Sequence, residues 1–166
     1  ADEIRTLVEK YGITNIKIAD EMFVLNLPHV LGVCGEIVRR GLGKKLNMWA
    51  YARVDTLKDQ DLLYEMRVAG IRWCCVGIES MSEHVRDGVD KNDFTVEDIF
   101  GACDRLKRAG ICLFANFMFG LPDDDEQSMK QTLSMAFDIM PEWANFYCTV
   151  AYPGTALYKQ AIADVW

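Results

Sequence analysis

The chain has 166 residues, 51% of them hydrophobic and 26% charged, with a formal net charge of −7. That length supports one domain with its own core. No stretch approaches the roughly 18–20 apolar residues of a membrane helix, no basic-then-apolar leader opens the chain, and the acidic balance argues against binding a phosphate backbone.

Helical periodicity covers residues 2–11, and Tyr11-Gly12-Ile13 closes it. A short apolar strand follows at Asn15 to Ala19. A helix is predicted at about 28–41, a strand at Asn47 to Val54, and a helix from Asp61 to Ala69 with Leu62, Met66 and Ala69 on one stripe. Ala69-Gly70-Ile71 repeats the first junction and opens Arg72 to Ile78, a near-continuous apolar run of the kind parallel strands show. Thr95 with Asp98 resembles a capping box for a helix that runs to Ala109. Ala109-Gly110-Ile111 is the third junction and leads into the strand Ile111 to Phe119. A helix at about 124–140 starts among Asp123, Asp124, Asp125 and Glu126, where acids suit the helix dipole. A fifth strand, Trp143 to Tyr152, and a partial helix at 155–166 complete the order. The chain opens inside a helical pattern and stops at Trp166, so it reads as a piece truncated at both ends. Glycine suits the left-handed residue after a helix, and three such junctions suggest repeated αβ units. The fold class is α/β, with parallel strands alternating with helices. Right-handed crossovers leave a part-barrel and a doubly wound sheet both open.

In either architecture the site lies beyond the carboxyl ends of the strands. The residues there are Asp20-Glu21, Arg53 with Asp55, Glu79-Ser80, Gly120-Leu121-Pro122 and Tyr152-Pro153-Gly154-Thr155. Carboxylates accept hydrogen bonds from an amine or ribose hydroxyls, and Arg53 can hold a carboxylate bidentately. Gly120 lets a planar group approach the backbone. Each residue also has a structural reading. Asp20 can cap the following turn, and Glu79-Ser80 can cap a helix near 82–88. Arg53 can pair with Asp55 or Glu79, and the glycine turns can be ordinary turns. His29 and His84 show no metal-ligand spacing and read as structural. Cys34, Cys74, Cys75, Cys103, Cys112 and Cys148 form no C-x-x-C or C-x-x-x-C pair. They read as buried free thiols of a cytoplasmic protein, with no metal site expected in the chain.

As a set, Asp20-Glu21-Met22-Phe23, Ala52-Arg53-Val54-Asp55, Gly77-Ile78-Glu79-Ser80, Lys91, Phe119-Gly120-Leu121-Pro122 and Tyr152-Pro153-Gly154-Thr155-Ala156-Leu157-Tyr158 resemble the radical S-adenosylmethionine (SAM) superfamily. The likeness is strongest to the branch that carries a cobalamin-binding domain. It implies a partial TIM-type (β/α)6 barrel, of which residues 1–166 hold strands two to six as one domain and lack the first strand. It implies reductive cleavage of SAM at a [4Fe–4S] cluster to a 5′-deoxyadenosyl radical, used for methyl transfer, cyclisation or rearrangement of a small-molecule substrate. The C-x3-C-x2-C cluster loop, and any cobalamin, would lie outside this chain. By the same resemblance, Ala19-Asp20-Glu21 takes the place of the Gly-Gly-Glu motif at the SAM amino group. Glu79 and Ser80 lie where ribose and methionine groups are held, and Arg53 meets the SAM carboxylate. Gly120 and Leu121 fall in the stretch against adenine, and Val150 to Tyr152 offer it backbone contacts. Two other readings stay open: a cluster-less structural or binding domain, and a divalent-metal barrel lyase or hydrolase using Asp20, Glu79 and Arg53. A missing first strand predicts open sheet edges and self-association. No nucleic-acid or membrane partner is expected.

Overall fold

The computed structural model describes residues 1–89 and 93–163, so Lys91 lies outside the described residues. In chain order the elements are α1 (Asp2–Tyr11), β1 (Asn15–Lys17), α2 (Leu27–Arg39), β2 (Asn47–Arg53), α3 (Gln60–Val68), β3 (Ile71–Glu79), α4 (Glu83–Asp87), α5 (Val96–Ala109), β4 (Cys112–Phe119), α6 (Glu126–Ile139), β5 (Trp143–Cys148) and α7 (Ala156–Ala163). Short 3-10 turns at Phe23–Leu25 and Val54–Thr56 follow the first two strands.

The sheet order is the chain order, β1-β2-β3-β4-β5, and every pairing is parallel. A doubly wound sheet reverses its order at a switch point. This sheet has no reversal, so right-handed crossovers carry the helices to one face and the sheet curls into a half-barrel. That decides between the two architectures the sequence leaves open.

Side chains alternate between the two faces. In β2, Met48, Ala50 and Ala52 are buried against the helices, while Trp49, Tyr51 and Arg53 are half-buried on the concave face. In β4, Leu113, Ala115 and Phe117 are buried and Phe114, Asn116 and Met118 face inward. The buried set joins Leu63 and Met66 of α3 and Ile99 and Leu106 of α5 in one core. On the concave face, register brings Trp49 beside Trp73 and Phe114 beside Trp143. Their rings stack at 6.2 Å and 5.8 Å. These aromatics form the floor of the amino-terminal half of the barrel and border a groove of about 680 Å³. Among the described residues no helix is long and apolar enough to cross a membrane.

The three glycine junctions form as the sequence predicts. Gly12 and Gly110 are left-handed caps at φ 65° and 71°, and Gly70 has φ 100°. Arg67 donates from Nε to the Gly110 carbonyl at 2.8 Å, so the second junction holds the third. The capping box of Thr95 and Asp98 forms in both directions. β2 and β4 are one residue shorter than predicted, β3 is one residue longer at each end, and β1 and β5 stop well short. The chain leaves the β1 ladder after Lys17 to enter the turn at Asp20, and β5 ends at Cys148.

The α3–β3 junction passes close to the α2–β2 loop. A Cβ on Gly43 would lie 2.2 Å from the Val68 carbonyl oxygen, whereas one on Gly32 in α2 meets nothing within 4 Å. Gly43→Ala is expected to destabilise the chain by about 2–4 kcal/mol, because backbone must move. Gly32→Ala is expected to stabilise it by about 0.5–1 kcal/mol through helix propensity. Thermal melts of the two variants beside the parent check both signs.

Candidate functional site

The ladder breaks at the carboxyl end of β3. Gly77 pairs with Asn116 and Glu79 with Phe117, so one β3 residue bulges between them. Glu79 takes φ 66°, a left-handed backbone that costs a non-glycine residue on the order of 1–3 kcal/mol. Bulges of this kind re-aim side chains. Here Gly77 and Glu79 border a cleft of about 290 Å³ together with Asn116, Met118, Tyr147 and Tyr152. Asn116 donates from Nδ2 to Cys75 Sγ at 3.0 Å. Its Oδ1 is buried without a hydrogen-bond partner among the described residues. Burial raises the Cys75 thiol pKa, opposed by the Asn116 bond, so the group is held as a thiol.

Arg53 stands beside Gly77 in register on the neighbouring strand. Its Nε donates to Asp55 at 2.9 Å and its Nη2 to Asp93 at 2.6 Å. Those two carboxylates raise its pKa. This is the ion pair with Asp55 that the sequence allows, with Asp93 added from a distant loop. Asp20 accepts the Met22 N–H at 2.9 Å and so caps the turn after β1, with Glu21 exposed next to it. Gly120 has φ 74°, donates its N–H to Asp124 at 2.8 Å and has open space where a Cβ would stand. Leu121 is buried. The Tyr152 side chain is exposed, and its carbonyl accepts from Thr155 Oγ1 at 2.7 Å, closing the Pro153-Gly154 turn.

Ser80 faces away from the cleft region into the protein. It is fully buried and bonds Thr132 of α6 at 3.2 Å. The cap of α4 is Ser82, which accepts from Val85 N, so the reading of Glu79-Ser80 as that cap is corrected. The fold therefore brings Glu79 and Tyr152 to one cleft with Arg53 on the next strand. Asp20 and Glu21 follow β1, beyond β2, and the Ser80 and Leu121 side chains are interior. His29 packs edge-on against Phe23 at 6.3 Å. Among the described residues, no group of three metal-ligating side chains converges.

Two further members of this region differ in how the sequence marks them. Asn116 had a signal, since it interrupts the apolar run of β4. Arg86 had none. Four of the five α4 residues are polar or charged, and that reads as an exposed turn, yet Arg86 is fully buried.

A parallel α/β part-barrel with polar groups gathered past its carboxyl ends defines a class of enzyme-like scaffolds. No protein-family model matches the chain. The chain is 31% identical over 160 residues to the anaerobic magnesium-protoporphyrin IX monomethyl ester cyclase of Cereibacter sphaeroides, a match that covers 96% of this chain and 26% of that protein. It is 28% identical over 163 residues to an uncharacterised methyltransferase of Pyrococcus horikoshii, covering 98% of this chain and 35% of that protein. The chain thus spans between about a quarter and a third of the length of these relatives. Among solved structures it superposes on the radical SAM methyltransferase TsrM from Kitasatospora setae, bound to cobalamin and a [4Fe–4S] cluster. That match has a TM-score of 0.87 at 20% identity and covers 98% of this chain and 30% of that one. The chain thus shares the fold of the barrel core of that structure.

Four of its cysteines are buried and the six are spread over five elements, so no short loop gathers three thiolates as a [4Fe–4S] cluster requires. Anaerobic reconstitution of residues 1–166 with iron and sulfide is expected to give no SAM-responsive cluster spectrum. A stoichiometric one would overturn this expectation.

Proposed function

We propose that this chain is the SAM-binding core of a radical SAM enzyme acting on a small molecule. The observation that carries the reading is Glu79: a glutamate held left-handed at a bulge, at the carboxyl end of the central strand, lining a cleft beside a buried amide oxygen with no hydrogen-bond partner among the described residues. A strained acid at a strand end fits binding better than packing.

SAM bound with a [4Fe–4S] cluster supplies reductive cleavage to a 5′-deoxyadenosyl radical. The cluster's ligands, and any cobalamin, would come from outside this chain. The residues present fit the nucleoside. Glu79 accepts hydrogen bonds from SAM hydroxyls or its amine. Arg53, steadied by Asp55 and Asp93, meets the carboxylate with its remaining guanidinium donors. Asp20 and Glu21 serve the amino group. The open space at Gly120 admits the planar base, the buried Leu121 side chain anchors that turn, and the backbone up to Tyr152 completes its rim. Ser80 acts from inside by holding the turn that follows Glu79. The relatives' names speak of ring closure and of methyl transfer, and this chain serves one such outcome on a substrate held partly by other segments. We place the protein in the cytoplasm, in keeping with its six free cysteines.

Glu79→Gln in the full-length protein keeps size and removes charge. The expected loss of SAM binding is about 1.5–3 kcal/mol, roughly ten- to a hundred-fold in affinity, with little change in melting temperature. Calorimetric titration beside a thermal melt reads it. Unchanged affinity would remove Glu79 from the site.

Residues 1–166 alone are expected to self-associate. β1 and β5 are the sheet edges, and the β5 side exposes Trp143, Tyr147, Val150 and Tyr152, each at least half exposed. Unpaired edges beside apolar surface invite strand pairing. Light scattering over a concentration series should show mass rising with concentration, and a constant monomer mass would refute it.

A further inference from the structure

We infer that Arg86 and Thr132 are positioning residues for Glu79, holding the turn that follows it so that its carboxylate stays presented to the cleft; this rests on the SAM-site reading above. The backbone after Glu79 leaves the β3 ladder, and its polar groups need new partners in a dry setting. Arg86 supplies them. It is fully buried, and its Nη1 donates to the Ser80 carbonyl at 2.6 Å and the Met81 carbonyl at 3.0 Å. Its Nη2 donates to the Phe94 carbonyl at 3.0 Å, and the guanidinium lies over the Phe94 ring at 5.2 Å. The Glu83 carboxylate stands 3.9 Å away on the solvent side. The guanidinium is therefore committed mainly to main-chain oxygens, two of them on the two residues directly after Glu79.

Thr132 closes the same turn from α6. Its Oγ1 accepts the Met81 N–H at 3.0 Å and donates to the Ser128 carbonyl at 3.0 Å. With its proton used there, the 3.2 Å contact to Ser80 Oγ has Ser80 as donor. Ser80 Oγ in turn accepts from Ser82 N at 3.1 Å. One set of proton positions satisfies every bond, so residues 80–82 are fixed from both sides.

A purely structural role would need less. Burying a guanidinium is unfavourable beside an apolar side chain of similar volume, and burial lowers the Arg86 pKa while its Nε finds no partner among the described residues. What the network fixes is the one left-handed glutamate among the described residues. A planar fork can bind adjacent carbonyls at set angles, which a lysine cannot reproduce.

The test uses the full-length protein, with SAM titrated calorimetrically and stability followed by thermal melts. Thr132→Val and Arg86→Lys should each weaken SAM binding about tenfold. Thr132→Ser, which keeps the oxygen, should restore affinity to within about twofold of the parent. In a Glu79→Gln background neither substitution should weaken binding further, because the carboxylate they position is gone. If Arg86→Lys fails to fold, the Thr132 pair decides. The inference is overturned if Glu79→Gln weakens binding while Thr132→Val leaves affinity unchanged and only lowers the melting temperature. It is also overturned if the losses add fully with Glu79→Gln. If Glu79→Gln itself leaves affinity unchanged, the SAM-site reading fails first and the positioning role falls with it.

Discussion

Parallel pairing in strictly sequential order is the constraint on which the rest of this molecule depends. Each strand must be followed by a crossover, and every right-handed crossover returns to the same side. The helices therefore cover one face only. The other face curls inward and keeps half of every strand's side chains facing a common hollow. From that one constraint follow the buried set Met48, Ala50, Ala52, Leu113, Ala115 and Phe117 and the inward set around Trp49, Trp73 and Asn116. It also puts every strand's carboxyl end at the same rim, where Arg53, Glu79 and Gly120 emerge.

The rim creates a second requirement. Main-chain groups that leave the ladders are no longer paired by neighbouring strands, and in a buried setting they need partners. At this rim and at the strands' amino ends, long cationic and amide side chains reaching across elements meet much of that need. Arg67 takes the Gly110 carbonyl at 2.8 Å, Arg105 takes Leu57 at 2.6 Å, and Gln60 takes the Arg105 carbonyl at 3.1 Å. Lys107 bonds the Ile139 carbonyl. Arg86 is the extreme case, fully interior and spread over three carbonyls. These bonds join segments 32 to 48 residues apart or, for Arg86, fasten one short loop on itself. They tie together the connections at both ends of the strands without enlarging the core.

The concave face is graded from end to end. Near the strands' amino ends it is aromatic, with Trp49, Trp73, Phe114 and Trp143 in stacked or tilted contact. Toward the rim it becomes polar through Arg53, Asn116 and Glu79. An apolar floor and a polar rim suit a ligand with a charged head that enters from the carboxyl ends, because close-packed rings at the floor favour dry contacts and leave the hydrogen-bonding groups at the mouth.

The amino-acid sequence by itself determined the elements that rest on local chemistry. The glycine junctions at Gly12, Gly70 and Gly110 and the Thr95–Asp98 cap lie within a few residues of one another, so their geometry is carried by short-range sterics and hydrogen bonds. The apolar runs of β3 and β4 were equally legible, as was the resemblance on which the candidate residues stood. Tertiary structure decided what depends on distant segments meeting. The absence of a strand-order reversal chose the half-barrel over the doubly wound sheet. Asp93 became a partner of Arg53 across 40 residues of chain. Ser80 packs into the protein against Thr132 across 52, while Glu79, its neighbour beside a bulge, borders the cleft. Residue type and spacing say which groups a segment offers. Which of them are buried, paired or presented depends on long-range packing, and two adjacent residues at a broken ladder can be sent to opposite sides of the sheet.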